Sequence, residues 1–403
     1  MVNRVVGLCL FFFIAAHGFS QKQTLSVFAL NREALQTNKA KLIAGDVSLK
    51  PAFNNLMKIA DEQLGKNKMY TVMEKKQMPP SNDMHDYMSI AIYYWPDTTK
   101  PNGLPYISKD GQINPEVEDY KDKVNIGKMV KSVSNYALAY YFSNDEKYAQ
   151  KAAQQIKAWF LDPSTKMNPN LNYAQAVKGR NDGRGIGIIE SRLFIDVIDA
   201  VGLIQSSSSW SKSDQLSMEK WFADYLQWLM TSKNGLEEFK TKNNHGIWYD
   251  VQKLDYAIFS HHDEIAENTY QSLLSRMEDQ MDETGFFPLE LKRTIALHYS
   301  AFIMEPLFLA ANMSLSINKN MWKYVPPSGK SLKKGFEVLM PYLSKEKDWF
   351  GNQIKPFDYK MYAPPLLAAG FQQYQCANCK TAIADILEAE AEKSILHLTT
   401  LID

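Results

Sequence analysis

The feature that most constrains this chain is a helical hydrophobic period that recurs, in segments of helix length, over most of its 403 residues. Phe53, Leu56, Ala60 and Leu64 share one helical face, as do Trp221, Tyr225 and Trp228, and Ala266, Tyr270, Leu273, Met277 and Met281. Similar patterns occupy about 126–142, 146–160, 185–205, 245–260, 296–313, 331–345 and 379–394, while the period-2 runs that mark strands are scarce. Helices that each bury one stripe must pack on one another. Short turns such as Ser143-Asn144-Asp145 make them antiparallel hairpins stacked in sequence order. No fixed-period repeat of the solenoid kind is present. The expected fold is all-α: an (α/α) toroid, an incomplete barrel of about 5–7 antiparallel helical hairpins carrying long loops.

Residues 1–20 read as a secretory signal peptide, with one basic residue, Arg4, then an apolar run from Val5 to Ala16 and small residues at Gly18 and Ser20. That run is too short to cross a bilayer, and no later stretch approaches the roughly twenty apolar residues a membrane helix needs. The remainder, residues 21–403, is expected to be one exported domain, periplasmic or secreted, monomeric and not inserted in a membrane, since no linker or composition shift divides it. The 45 Lys+Arg balance 45 Asp+Glu, and losing the leader removes only Arg4, leaving 44 against 45 and a net charge of −1. A nucleic-acid footprint is therefore absent, and an anionic ligand would need local cations inside a cleft. Beyond the leader the cysteines are Cys376 and Cys379, which could close a small disulfide in an oxidising compartment. No second Cys pair or His cluster supports a metal site there.

Two stretches interrupt the helices. The first, about 76–120, interleaves prolines and glycines with His85, Tyr87, Tyr93, Tyr94, Trp95 and Tyr106. The second, about 162–184, ends in Gly179-Arg180-Asn181-Asp182-Gly183-Arg184. Loops this long in a compact domain are usually functional when they are not disordered, and aromatic content argues against disorder. The first is expected to cover a cleft as a lid, with Tyr94 and Trp95 able to stack on sugar faces and Arg180 and Arg184 able to hold carboxylates. Trp248 and Tyr249 are further stacking candidates, against a plain core role.

The chemistry centres on two segments. In Asn243-Asn244-His245-Gly246-Ile247-Trp248-Tyr249 the asparagines are good N-caps, so His245 is expected in the first turn of a helix, where backbone amides and the positive helix end favour an anion. In Phe286-Phe287-Pro288-Leu289-Glu290-Leu291-Lys292-Arg293, followed by Tyr299, the Gly285 and Pro288 signals place a loop before a new helix. Arg293 and Tyr299 can then converge, although a continuous helix would rotate them about 240° apart. The bland alternatives are an asparagine cap beside a packed histidine, Arg293 paired with Glu290, and Tyr299 in the core. Glu190 and Arg192 read as a structural pair, and Glu388-Ala-Glu-Ala-Glu-Lys393 as a solvated helix face.

The Asn-Asn-His-x-x-Trp segment, with Glu-Leu-x-Arg some fifty residues on and then a Tyr at a helix start, resembles the alginate lyase superfamily, most closely polysaccharide lyase family 38. His85-Asp86-Tyr87-Met88-Ser89, Tyr93-Tyr94-Trp95-Pro96-Asp97, Gly103-Leu104-Pro105-Tyr106 and Gly183-Arg184-Gly185-Ile186-Gly187 support it, so the likeness spans roughly 80–310. The resemblance implies a toroid enzyme that acts on alginate or a related polyuronate. It implies that Asn244, His245 and Arg293 surround the uronate carboxylate, and that Tyr299 transfers protons. No cofactor is expected, and no metal, since Arg293 and Asn244 stand where a cation would and no acid cluster has calcium-loop spacing. The Arg-to-Tyr gap is one residue shorter than in the more distant lyase family 5 pattern, which leaves Lys292 as an alternative to Arg293. Two other readings stay open: a glycoside hydrolase, which needs a pair of carboxyls such as Asp86, Asp182 or Glu190 could supply, and a non-catalytic glycan-binding protein.

Overall fold

A computed structural model describes residues 25–402, so the leader at 1–20 lies outside the described residues. In chain order the helices are α1 (Arg32–Ile43), α2 (Lys50–Lys66), α3 (Lys121–Ser143), α4 (Glu146–Phe160), α5 (Phe194–Ile204), α6 (Lys212–Thr231), α7 (Lys233–Phe239) and α8 (Asn244–Phe259). They continue with α9 (Asp263–Gln280), α10 (Pro288–Leu291), α11 (Ala296–Ser316), α12 (Leu332–Leu343), α13 (Tyr359–Tyr374), α14 (Cys379–Leu387) and α15 (Leu396–Thr399). Each inner helix touches the next in the series α3, α5, α8, α11, α13, and α4, α6, α9, α12 and α14 fold back outside them. The circuit closes where α14 and the exposed 3-10 stretch Glu388–Lys393 lead onto α2, which packs on α3. The structure is thus the expected toroid of helical hairpins. No helix among the described residues is long and apolar enough to cross a membrane.

The boundaries follow local chemistry. α3 stops at Asn144, which takes the left-handed conformation with φ 55°, and Asp145 then caps α4 through Lys147 N. Ser211 and Asp214 close a capping box at the start of α6. The face carrying Trp221, Tyr225 and Trp228 is realised as a stack with centroids 5.4 Å apart for both successive pairs. Phe160, Phe194 and Phe222 pack around Trp221, which makes this the aromatic centre of one large core. α13 escapes the sequence reading because Pro364 and Pro365 stand inside it, where a proline ordinarily breaks a helix. Its buried Ala363, Leu366, Leu367 and Ala368 supply the packing that offsets this. Cys376 and Cys379 form a disulfide at the start of α14.

The two interruptions are joined to each other, which periodicity could not show. β1 (Met88–Ile90) from the first pairs in parallel with β4 (Tyr173–Ala176) from the second, and β2 (Tyr94–Trp95) pairs with β3 (Ile107–Ser108) within the first. Glu190 fastens this layer to the toroid. Its buried carboxylate accepts from Tyr87 Oη at 2.8 Å and Ser89 Oγ at 2.6 Å, and pairs with Lys123 of α3 at 2.9 Å. The expected Glu190–Arg192 pair is therefore not made, because Glu190 is filled by these three donors.

Asp255 of α8 is fully buried, and neither of its oxygens has a hydrogen-bond partner among the described residues. Burial, reinforced by Asp199 and Asp196, pushes its pKa well above the ordinary 3.8. The folded chain keeps this acid protonated while the unfolded chain ionises it, so the stability it costs grows as pH rises above 3.8. Asp255→Asn should melt at or above the wild-type temperature near pH 8, with the advantage shrinking toward pH 4. A clearly lower melting temperature at pH 8 would contradict this.

Candidate active site

α8, α10 and α11 converge on one end of a cavity of about 550 Å3 inside the toroid. Asn243 caps α8 by accepting from His245 N at 3.2 Å, which puts His245 in the first turn as its sequence context suggests. His245 Nδ1 lies 2.7 Å from Oε1 of Glu238, a side chain only 1% exposed at the end of α7. A carboxylate there accepts a proton carried on Nδ1, the tautomer that in a neutral ring leaves the lone pair on Nε2, and the residue lines the cavity. Nothing in Leu236-Glu237-Glu238-Phe239 marks Glu238 in the sequence; only the fold brings it to His245.

The end of α8 does not serve as an open anion site, contrary to expectation. Glu290 of α10 already occupies it. Its carboxylate accepts from Asn244 N at 2.7 Å and from Asn244 Nδ2 at 3.0 and 2.9 Å, while the amides of His245 and Gly246 are taken by Asn243. Burial pushes the Glu290 pKa up, opposed by the Asn244 donors and then by Arg293. Asn244 lines the cavity, but its donors are spent on Glu290, and its buried Oδ1 has no partner among the described residues.

Arg293 lines the cavity, whereas Lys292 is exposed and outside the lining. The guanidinium of Arg293 does not pair with Glu290. It binds Asp110 of the first loop through Nε at 3.2 Å and Nη2 at 2.5 Å, and Thr294 Oγ1 adds a bond to the same carboxylate at 3.0 Å. Burial works against the charge on Asp110, but these donors override it and hold the carboxyl below its usual range. Nη1 of Arg293 has no partner among the described residues. The guanidinium carbon sits 3.5 Å from the Tyr299 ring centroid, so the break between α10 and α11 does bring the two residues together. Tyr299 is 7% exposed and donates to Tyr93 Oη at 3.3 Å. Burial raises its pKa well above the ordinary phenol value; Tyr93 adds to this and Arg293 opposes it. Tyr299 is a neutral phenol in this site.

The binding candidates divide. Tyr94 and Arg184 line the cavity, with the Arg184 guanidinium 4.9 Å over the Tyr94 ring and its Nε donating to Gln175 O at 3.0 Å. Arg180 is exposed near the rim, 5.9 Å from the same ring, and outside the lining. Trp95 also lies outside it: Nε1 donates to Gln112 O at 2.9 Å and Lys109 covers its ring. Tyr93, next but one before it, faces the cavity instead. Tyr249 is corrected to a core residue, 2% exposed with its hydroxyl on Leu229 O. Trp248 reaches the lining, but Arg192 and Phe302 cover its ring, so it offers no free stacking face. The sequence reading also passed over His298, which stacks on Phe302 and whose pKa is pushed down to about 4 by burial and by Arg293, Arg192 and Lys355.

Comparison with known proteins identifies the fold and the family. The alginate lyase family pattern matches residues 71–350. The crystal structure of an alginate lyase from Bacteroides ovatus superposes with a TM-score of 0.88 at 36% identity, covering 94% of this chain and 100% of that one. Alginate lyase A1-III from Sphingomonas species A1 shares the fold, with a TM-score of 0.55 at 14% identity over 96% of this chain and 99% of that one. A variant of A1-III complexed with tetrasaccharide gives the same TM-score at 14% identity, covering 94% and 98%. No curated protein sequence matches the chain. With more than half its length matched by the family pattern and its whole toroid shared at 36% identity, the chain belongs to the alginate lyase family of polysaccharide lyases.

Proposed function

We propose that this protein cleaves alginate, or a closely related polyuronate, by β-elimination. His245 Nε2 removes the C5 proton, the C4–O4 bond breaks as the C4=C5 double bond forms, and the Tyr299 hydroxyl gives its proton to the departing O4. The observation that carries the reading is the buried Glu238 on His245 Nδ1, which leaves Nε2 as a base in the same cavity as a neutral Tyr299 phenol. Family membership and the tetrasaccharide held by the related A1-III lyase support a polysaccharide in that cavity.

A uronate C5 proton is barely acidic while the adjacent carboxylate keeps its full charge, because its removal adds charge to the same group. Arg293 is the cation able to neutralise that carboxylate, through Nη1 and the remaining hydrogen of Nη2. Asn244 was expected to help, but its amide nitrogen is bound to Glu290 and its side chain is buried, so it positions α10 and leaves the carboxylate to Arg293. Ring geometry divides the work. In guluronate the C5 proton and O4 lie on opposite sides, which suits a His245 base with a Tyr299 acid. In mannuronate and glucuronate they lie on one side, where Tyr299 could do both only after losing a proton that its buried site holds firmly.

Ultraviolet absorbance of the unsaturated product, measured on polymannuronate, polyguluronate and glucuronan, tests the reaction class. Reducing ends without absorbance would mean hydrolysis, and binding without either would mean a glycan-binding protein. Tyr299→Phe deletes one hydroxyl and should abolish turnover on every polymer with the fold intact. His245→Asn should cost about 10²–10⁴-fold on polyguluronate and less on polymannuronate; equal losses would count against the two-residue scheme. Glu238→Gln should lower turnover about tenfold or more with little change in the Michaelis constant. Unchanged turnover would show that Glu238 does not set the state of His245.

A further inference from the structure

The cavity continues beyond the reacting wall. Tyr299, Phe302, Glu305 and Leu309 follow one face of α11 along it, and at 1.5 Å per residue Glu305 lies about 9 Å past Tyr299. Across from them, Arg192 and Asp196 stand four residues apart where the 3-10 stretch Gly185–Leu193 runs into α5. The carboxyls of Asp196 and Glu305 face the open space of the cavity, and neither has a hydrogen bond or ion pair among the described residues. Arg192 donates Nη1 to Ile189 O at 3.0 Å and lies over Trp248 and Phe302 at 5.7 and 5.4 Å. The elimination scheme uses none of these three charged groups. Both acids keep much of their surface open to the cavity and find no donor among the described residues, whereas a structural role would have paired them.

We propose that Arg192, Asp196 and Glu305 form an inner uronate subsite, in which Arg192 attracts the carboxylate of a further sugar and the two acids decide whether that anionic unit is admitted. This rests on the reading of the cavity as a polyuronate site. With both acids ionised the set is net negative and repels a uronate; with both protonated it is net positive and accepts one. Surrounding protein pushes Asp196 up to about 6 and Glu305 up to about 7, with Arg192 opposing in both, so the change falls near neutrality. His298 on α11, held down at about 4, stays neutral through this range, and Tyr362 on α13, pushed up by burial and by Glu305, stays a phenol. Asp199 and Asp255 lie deeper on α5 and α8; Asp199 is bound by the amides of Phe28, Ala29 and Leu30. Those groups, with His245 and Glu238, are common to the proteins compared below and cancel from the difference.

The test is calorimetric binding of a saturated alginate tetrasaccharide to Tyr299→Phe protein, which removes turnover, with and without Asp196→Asn and Glu305→Gln together. Near pH 8 the added substitutions should tighten binding at least about fivefold, and the gap should narrow toward pH 5. Equal affinities at both pH values, with the parent binding, would overturn the subsite and leave the catalytic reading standing. Weaker binding near pH 8 would mean that the acids contribute favourable contacts and would also overturn it. No binding by the parent would overturn both readings together. Thermal unfolding verifies that the variants are folded, and if the combined variant is not, Glu305→Gln alone should give a smaller shift of the same sign.

Discussion

The hydrogen bonds from Asn244 to the Glu290 carboxylate hold the active site together. They join residues 46 positions apart, satisfy the first turn of α8 with a side chain and tie α10 to that turn. The neighbours of each partner then fall into place. His245 follows Asn244 on α8, Arg293 follows Glu290 by three residues, and the break before α11 turns Tyr299 under the Arg293 guanidinium. Removing either partner would strand a buried polar group, at a cost of about 1–3 kcal/mol or more for a charged one. The geometry thus rests on a contact that itself leaves the chemistry to its neighbours.

Other carboxylates repeat this role. Glu190 fixes the loop layer to α3, Glu238 sets the proton on His245, and Asp110 holds Arg293 from the first loop. A site for a polyanion is ill served by bare acids. Here most of them are consumed by donors of the protein, and they orient the base and the cation instead of facing the ligand. Asp196 and Glu305 differ because no donor among the described residues consumes them, which is why they bear on how the cavity receives charge.

Much of this was legible in the sequence because it is local. The 3.6-residue period located most of the helices, the Asn243-Asn244 cap predicted the start of α8, and the Gly285 and Pro288 signals predicted the break that lets Arg293 meet Tyr299. What could not be read was set by partners far apart in the chain. Glu238 carries no local mark, the β1–β4 pairing links two loops, and Arg293 selects Asp110, 183 residues away, over the adjacent Glu290. Tyr93, Tyr94 and Trp95 run consecutively, and only the folded loop shows that the two tyrosines reach the cavity while Trp95 turns to Gln112. Tyr249 follows the same rule on a helix, where one position separates cavity lining from core.

The central claim is that one uronate unit is met at once by Arg293, His245 and Tyr299. The most direct measurement is a crystal structure of Tyr299→Phe protein soaked with a saturated alginate tetrasaccharide. The account predicts a sugar carboxylate within hydrogen-bond distance of Arg293 Nη1, His245 Nε2 facing C5 of the same ring, and O4 beside the position of the missing hydroxyl. A chain whose carboxylates all lie away from Arg293, or whose linkages all lie away from His245, would contradict it.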